Sequence, residues 1–129
     1  MEEKKLTMRL LKEKYGVCRL GENEPIPEWG KKGDFYAITK TSDELSIVCS
    51  QENIPHDINS ERNWRILKVE GPLDFSLIGI LASISTLLAQ SGISIFAIST
   101  YDTDYILVKE KDIDRAIHAL INEKYHIID

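Results

Sequence analysis

FSLIGILASISTLLAQSGISIFAISTY, residues 75–101, carries no ionisable side chain except the phenol of Tyr101, in a chain whose residues are 29% charged. Its first part places apolar residues around most of a helical circumference: Leu77, Leu81, Ile84 and Leu88, with Ile80 and Leu87 beside them. What remains is a stripe of Ser76, Gly79, Ser83, Thr86 and Gln90, small, uncharged and spaced three and four apart. The second part, 93–100, is rich in β-branched and aromatic residues and reads as a strand. Gly92 separates the two as a helix stop. A helix without charge on any face needs cover on two sides, from its own sheet and from a second surface.

The flanks extend the pattern. Residues 64–70, WRILKVE, alternate apolar and polar as a half-buried strand does, and Gly71-Pro72 ends them. Asp74 is placed as the N-cap of a helix over 75–91. Beyond the block, Asp102-Thr103 makes a tight turn and 104–109 returns as the second arm of a hairpin. A second helix is expected over 111–124, with Ile113, Ala116, Ile117 and Leu120 on one face, and a last strand over 125–129. The order is βαββαβ.

The N-terminal half reads as strands and turns. Candidate strands are 6–11, 16–20, 35–40 and 45–50, the last two joined through Thr41–Glu44. Between them GENEPIPEWGKKGD, residues 21–34, leaves room for at most a turn of helix at 27–29, because Pro25, Pro27 and the glycines break anything longer. Residues 51–57 likewise hold no more than one turn. The half therefore repeats the βαββαβ order with its helices reduced to turns, and the chain divides into modules 1–62 and 63–129. Lacking helices, the first module must bury its sheet face, and the uncharged helix is the candidate cover.

A chain of 129 residues supports one compact unit or two very small ones sharing a core. With 43% apolar residues and a net charge of −5 it is expected to be soluble and globular, and nucleic acid is not an expected partner, since that requires a basic surface. MEEKKLTMRLLKEK contains no apolar signal core, and Gly92, Gln90 and the hydroxyls break the apolar block, so no membrane partner is expected. Cys18 and Cys49 sit in apolar strand runs and read as reduced core residues, without a nearby histidine or cation, consistent with a cytoplasmic protein.

Candidate chemistry is sparse. His56, His118 and His126 lack metal-ligand spacing, and no nucleophile elbow or phosphate loop is present, so no catalytic residue, metal or cofactor is expected. Asp102 and Asp104 form an Asp-x-Asp pair that fits either a cation site or ordinary turn chemistry. The Gly71-Pro72-Leu73-Asp74 junction offers helix N-terminal N–H groups suited to a carboxylate, and Asp74 suits an ammonium group or simply caps the helix.

From VEGPLDFSLIGILASISTLLAQSGISIFAISTYDTDYILVKEKDIDRAIHAL, with Gly-x-x-Asp before the helix and SIFAISTYDTD after it, the chain resembles the ACT domain, a ferredoxin-like α+β regulatory module that binds amino acids. It is similar to small bacterial tandem-ACT proteins, to aspartokinase regulatory domains and to the animal cytosolic arginine sensors, the CASTOR proteins. LLKEKYGVCRL, FYAITKT and ELSIVCS resemble the degenerate, helix-poor N-terminal ACT-like module of that group. The resemblance implies a ligand held where two modules meet, by the loop Gly71, Pro72, Leu73 and Asp74, the facing backbone of Phe96, Ala97 and Ile98, and a rim of Thr100, Tyr101 and Asp104. Asp74 is shorter than the Glu of the arginine sensors, so the ligand's identity stays open. The implied function is a non-enzymatic, cytoplasmic amino-acid-binding regulator, homodimeric and acting on a protein partner. The alternative is an assembly module that has lost ligand binding.

Overall fold

The computed structural model describes residues 6–71 and 79–129. In chain order these form β1 (Thr7–Leu10), β2 (Tyr15–Leu20), β3 (Ala37–Lys40), β4 (Leu45–Ser50), β5 (Ser60–Val69), α1 (Ile80–Gln90), β6 (Ile95–Ser99), β7 (Asp104–Lys109), α2 (Ile113–Asn122) and β8 (His126–Ile128). They group into two compact units, one of residues 13–64 and one of residues up to 12 together with 65–129. The long strand β5 gives its first half to one unit and its second half to the other.

In the 13–64 unit the strands lie in the order β3-β4-β2-β5, all antiparallel. Single 3-10 turns at Glu28–Lys31 and Gln51–Asn53 stand where helices would be. This is the ferredoxin-like strand order, with the fourth strand supplied by β5. Its core is Cys18, Leu45, Ile47, Cys49 and Ile54, with Trp29 and Ile58 packed on it. Trp29, from the first turn, and Ile54, just after the second, belong to this packing. Gly30 permits it: a Cβ there would lie 3.1 Å from the Ile47 side chain. Between Tyr15 and Val17 the register against β5 shifts. Asn63, at φ 67°, lies in the shifted stretch of β5, and Gln51 ties it down by accepting from its N–H at 2.7 Å and donating to its side chain at 3.2 Å.

The other unit orders its strands β6-β7-β5-β1-β8. Without β1 this is the ferredoxin-like arrangement of β5-α1-β6-β7-α2-β8. The strand at 7–10, grouped from sequence with the N-terminal module, instead lies between β5 and β8. It is antiparallel to β5, with Met8 opposite Val69, and parallel to β8, with Met8 opposite Ile127. Both helices pack on one sheet face. Ile84 and Leu88 from α1 and Ile113, Ala116 and Leu120 from α2 meet Met8, Leu67, Val69, Ile106 and Val108.

Helix ends follow backbone chemistry. α1 stops at Gly92, φ 74°, where Gly92 N–H bonds to Ala89 O and Ile93 N–H to Leu88 O, each at 3.0 Å. Lys124 adopts the same φ of 74° after α2, with Tyr125 N–H donating to Leu120 O at 3.0 Å. Gly79, expected inside α1, precedes it at φ 81°, a conformation that interrupts a helix and that glycine takes without strain. The expected helical residues 75–78 and the Asp74 cap lie outside the described residues. Ala82, Ser83, Thr86, Ala89 and Gln90 form an exposed, uncharged outer face on α1.

Candidate functional site

The sequence-derived site divides into a strand, a hairpin tip and a loop. Phe96, Ala97 and Ile98 are the middle of β6, which pairs with β7 as Phe96 with Leu107, Ala97 with Ile106 and Ile98 with Tyr105. Side chains alternate, so half-buried Phe96 and Ile98 share one face with Leu107 and Tyr105, while exposed Ala97 shares the helix-side face with Ile106. Among the described residues β6 has a strand on one side alone. Its other edge carries backbone groups open to a ligand or to a further strand.

Thr100 and Tyr101 form the hairpin tip. Thr100 N–H donates to Thr103 O at 2.8 Å, its hydroxyl donates to the same oxygen at 3.1 Å, and Thr103 N–H donates back to the hydroxyl at 3.3 Å. The Thr100 hydroxyl, expected on the rim, is therefore engaged in the turn itself. Tyr101 stands out at 81% exposure. Asp104, the first residue of β7, faces Ser99, whose hydroxyl donates to one carboxylate oxygen at 2.5 Å. The geometry thus gives Asp104 and Asp102 different parts: Asp104 has a fixed partner, while Asp102 is exposed on the turn.

Gly71 is exposed, just beyond the end of β5. The approach to it is well held. Glu70 N–H donates to Thr7 O at 2.8 Å, and the Glu70 carboxylate receives Arg9 Nε at 2.5 Å, with Lys68 Nζ at 3.7 Å. Arg9 also donates to the backbone oxygen of Asp129 at 3.0 Å. Across from Val69, the Thr103 hydroxyl donates to the Val69 carbonyl at 2.5 Å. The hairpin tip and the strand end before Gly71 are thereby brought together. Pro72, Leu73 and Asp74 lie outside the described residues. Sequence reasoning missed Ser99, Thr103, Glu70 and Arg9; Thr103 was visible as the middle of Asp-Thr-Asp but read as turn chemistry.

Elsewhere the chemistry is limited. No group of three His, Cys, Asp or Glu side chains able to hold a metal occurs among the described residues, and no described helix is long and apolar enough to cross a membrane. Cys18 and Cys49, 1% and 0% exposed, lie diagonally across β2 and β4, since Cys18 opposes Ile47 and Cys49 opposes Gly16. A hydrogen bond from the Cys49 thiol holds Cys18 below the ordinary thiol range, against the effect of burial. Donating that bond, together with burial, pushes Cys49 up. The positive charge of Arg62 favours the thiolate at both, which supplies the cationic neighbour that the sequence did not reveal.

A family model described as ACT domain matches residues 59–122, and a second, of an N-terminal domain, matches residues 13–57. The human cytosolic arginine sensor for mTORC1 subunit 1 is 35% identical over 94 residues, 67% of this chain and 29% of that protein. The bovine sensor of the same name is 29% identical over 69% of this chain and 30% of its own. The chain thus spans under a third of the length of these curated relatives. A crystal structure of an Agrobacterium tumefaciens protein aligns over 95% of this chain and 92% of its own, at 37% identity and a TM-score of 0.90. Aspartate kinase from Clostridium acetobutylicum shares the fold, at 15% identity and a TM-score of 0.66 over 95% of this chain and 36% of the enzyme.

Proposed function

The chain belongs to the ACT domain family, in the group that includes the cytosolic arginine sensors, and on that premise we propose that it is a non-enzymatic regulator that binds a free amino acid where two ACT-like modules meet. The proposed module bounds are 1–62 and 63–129, and every ligand residue named here belongs to the second. Gly71, Pro72, Leu73 and Asp74 hold one end of the ligand. The open edge of β6 at Phe96, Ala97 and Ile98 supplies backbone groups, and Asp104 with Thr100 and Tyr101 closes the rim. One carboxylate takes the α-ammonium and the other a cationic side chain, while N–H groups take the α-carboxylate.

The observation that carries this reading is the hydrogen bond from Thr103 to Val69. It gathers the acidic tip and the approach to the Gly71 loop at one end of the sheet, beside the open edge of β6. The uncharged outer face of α1 supports a homodimer, since an exposed helix face with no charge is suited to close packing against a second copy. A cytoplasmic location and a regulated protein partner complete the proposal. Ligand would act by favouring one packing of the modules over another, which requires different affinity for the two.

Calorimetric titration of the intact chain with each of the twenty common amino acids tests the reading. At least one is expected to bind with a dissociation constant of roughly micromolar to millimolar, about −8 to −4 kcal/mol. At a hundredfold excess over that constant it should stabilise the fold by about 2.7 kcal/mol. No heat and no thermal shift for any of the twenty would overturn it and leave the assembly module in its place.

A further inference from the structure

Backbone groups along β5 alternate in direction. Leu11 N–H donates to Ile66 O at 2.9 Å and Glu70 N–H to Thr7 O at 2.8 Å, so residues 66 and 70 turn toward β1 and its continuation. Residues 67 and 69 therefore turn the other way, toward β7. Val69 is fully buried, and its carbonyl cannot be left without a donor at low cost. β7 begins only at Asp104. One residue earlier, the side-chain hydroxyl of Thr103 donates to Val69 O, taking the place of a ladder N–H.

Thr103 is unusual in its surroundings. Among the described residues only it and Ser50 are polar and buried, and Thr103 is 4% exposed. Its own N–H and carbonyl are both engaged with Thr100, so the side chain and the backbone of a single residue join the hairpin tip to the end of β5. Two residues beyond Val69 the chain reaches Gly71. Resting on the reading that this end of the sheet binds an amino acid, we propose that Thr103 is a positioning residue for the ligand: its buried hydroxyl sets the spacing between the Thr100–Tyr101–Asp104 rim and the end of β5 before Gly71, without itself meeting the ligand. Thr100 and Asp104 take their places from it, because Thr103 is the one buried residue of the turn at 100–104.

Thr103→Val keeps the shape and removes the donor; Thr103→Ser keeps the donor and removes a methyl. The probe is whichever of the twenty amino acids binds the unaltered chain most tightly, titrated at a temperature where circular dichroism shows each variant folded. Thr103→Val is expected to weaken binding tenfold or more, and Thr103→Ser to stay within threefold of the unaltered chain, at unchanged stoichiometry. If Thr103→Val does not fold, Thr103→Ala, which also lacks the donor, takes its place under the same expectation. Equal affinity for the donor-less variant and the unaltered chain would overturn the positioning role while leaving amino-acid binding intact. So would a Thr103→Ser variant as weak as Thr103→Val, since packing of the methyl group would then be the cause. Failure of the unaltered chain to bind any of the twenty would overturn the underlying reading and this inference with it.

Discussion

Asp104 shows how a single residue can be half committed. Ser99 donates to one of its carboxylate oxygens at 2.5 Å, which fixes the side chain's direction while leaving the second oxygen for a cationic group. A charge-assisted hydrogen bond to a ligand is worth about 1.5–3 kcal/mol more than none. Asp104→Asn keeps the size and the Ser99 contact but removes the charge. It is therefore expected to weaken amino-acid binding roughly tenfold to a hundredfold, in the same calorimetric titration, with little change in the melting temperature of the unliganded chain. Equal loss of melting temperature and of affinity would place Asp104 in the hairpin's structure and not in the ligand's reach. Residue pattern alone offered Asp102 and Asp104 as a pair, and the family resemblance singled out Asp104 for the rim. The strand register, which sets Ser99 opposite Asp104, gives it the fixed partner that local pattern did not reveal.

At the scale of an element, β1 is the strand whose place matters most. Four residues, TMRL, carry no pattern that names a partner, yet they fill the gap between the first and last strands of the ferredoxin-like arrangement. Met8 has no exposed surface and packs in the core with Val69 and Leu67. Removing residues 1–11 would part β5 from β8, uncover that core and strip Glu70 of Arg9 and of the Thr7 carbonyl. The loss of Met8's packing alone corresponds to about 2–5 kcal/mol, a large share of the roughly 5–15 kcal/mol that holds an ordinary domain folded. The shortened chain is expected to lose its cooperative thermal transition by circular dichroism; retention of a melt within a few degrees of the full chain would show that β1 is dispensable. The turns at Glu28–Lys31 and Gln51–Asn53 were, by contrast, legible in advance. Pro25, Pro27 and the glycines forbid a longer helix over the first, and the second has too few residues for one.

For the whole molecule, the homodimer proposed above would assemble through the outer face of α1. Ala82, Ser83, Thr86, Ala89 and Gln90 are exposed and uncharged, and all of them except Ala89 line a shallow groove of about 430 Å³ with Glu123 and Tyr125. Burial raises the Tyr125 phenol above its ordinary pKa, with Glu123 adding to the effect, so the phenol stays neutral across the physiological range. Ser83→Arg places a long cation in the middle of the face. It should shift the chain toward monomer in sedimentation equilibrium, while changing the monomer's own stability by no more than about 0.5 kcal/mol, as exposed substitutions do. A dimer of unchanged strength would mean that copies associate through another surface.

The sequence by itself determined the kinds of element and much of their order. Periodicity, glycine and proline punctuation, and the uncharged run at 75–101 are local signals, read from a few neighbouring residues at a time. They also indicated which half lacks helices, while the ligand residues were implied by the resemblance to the ACT family. Tertiary structure alone decided which strand lies beside which, and with it the insertion of β1, the sharing of β5 between two units and the Thr103 clip on Val69. The reason is physical. A hydrogen bond across 34 residues, or a strand pair across 61, depends on where the remote backbone comes to rest, and neither TMRL nor Asp-Thr-Asp carries that information.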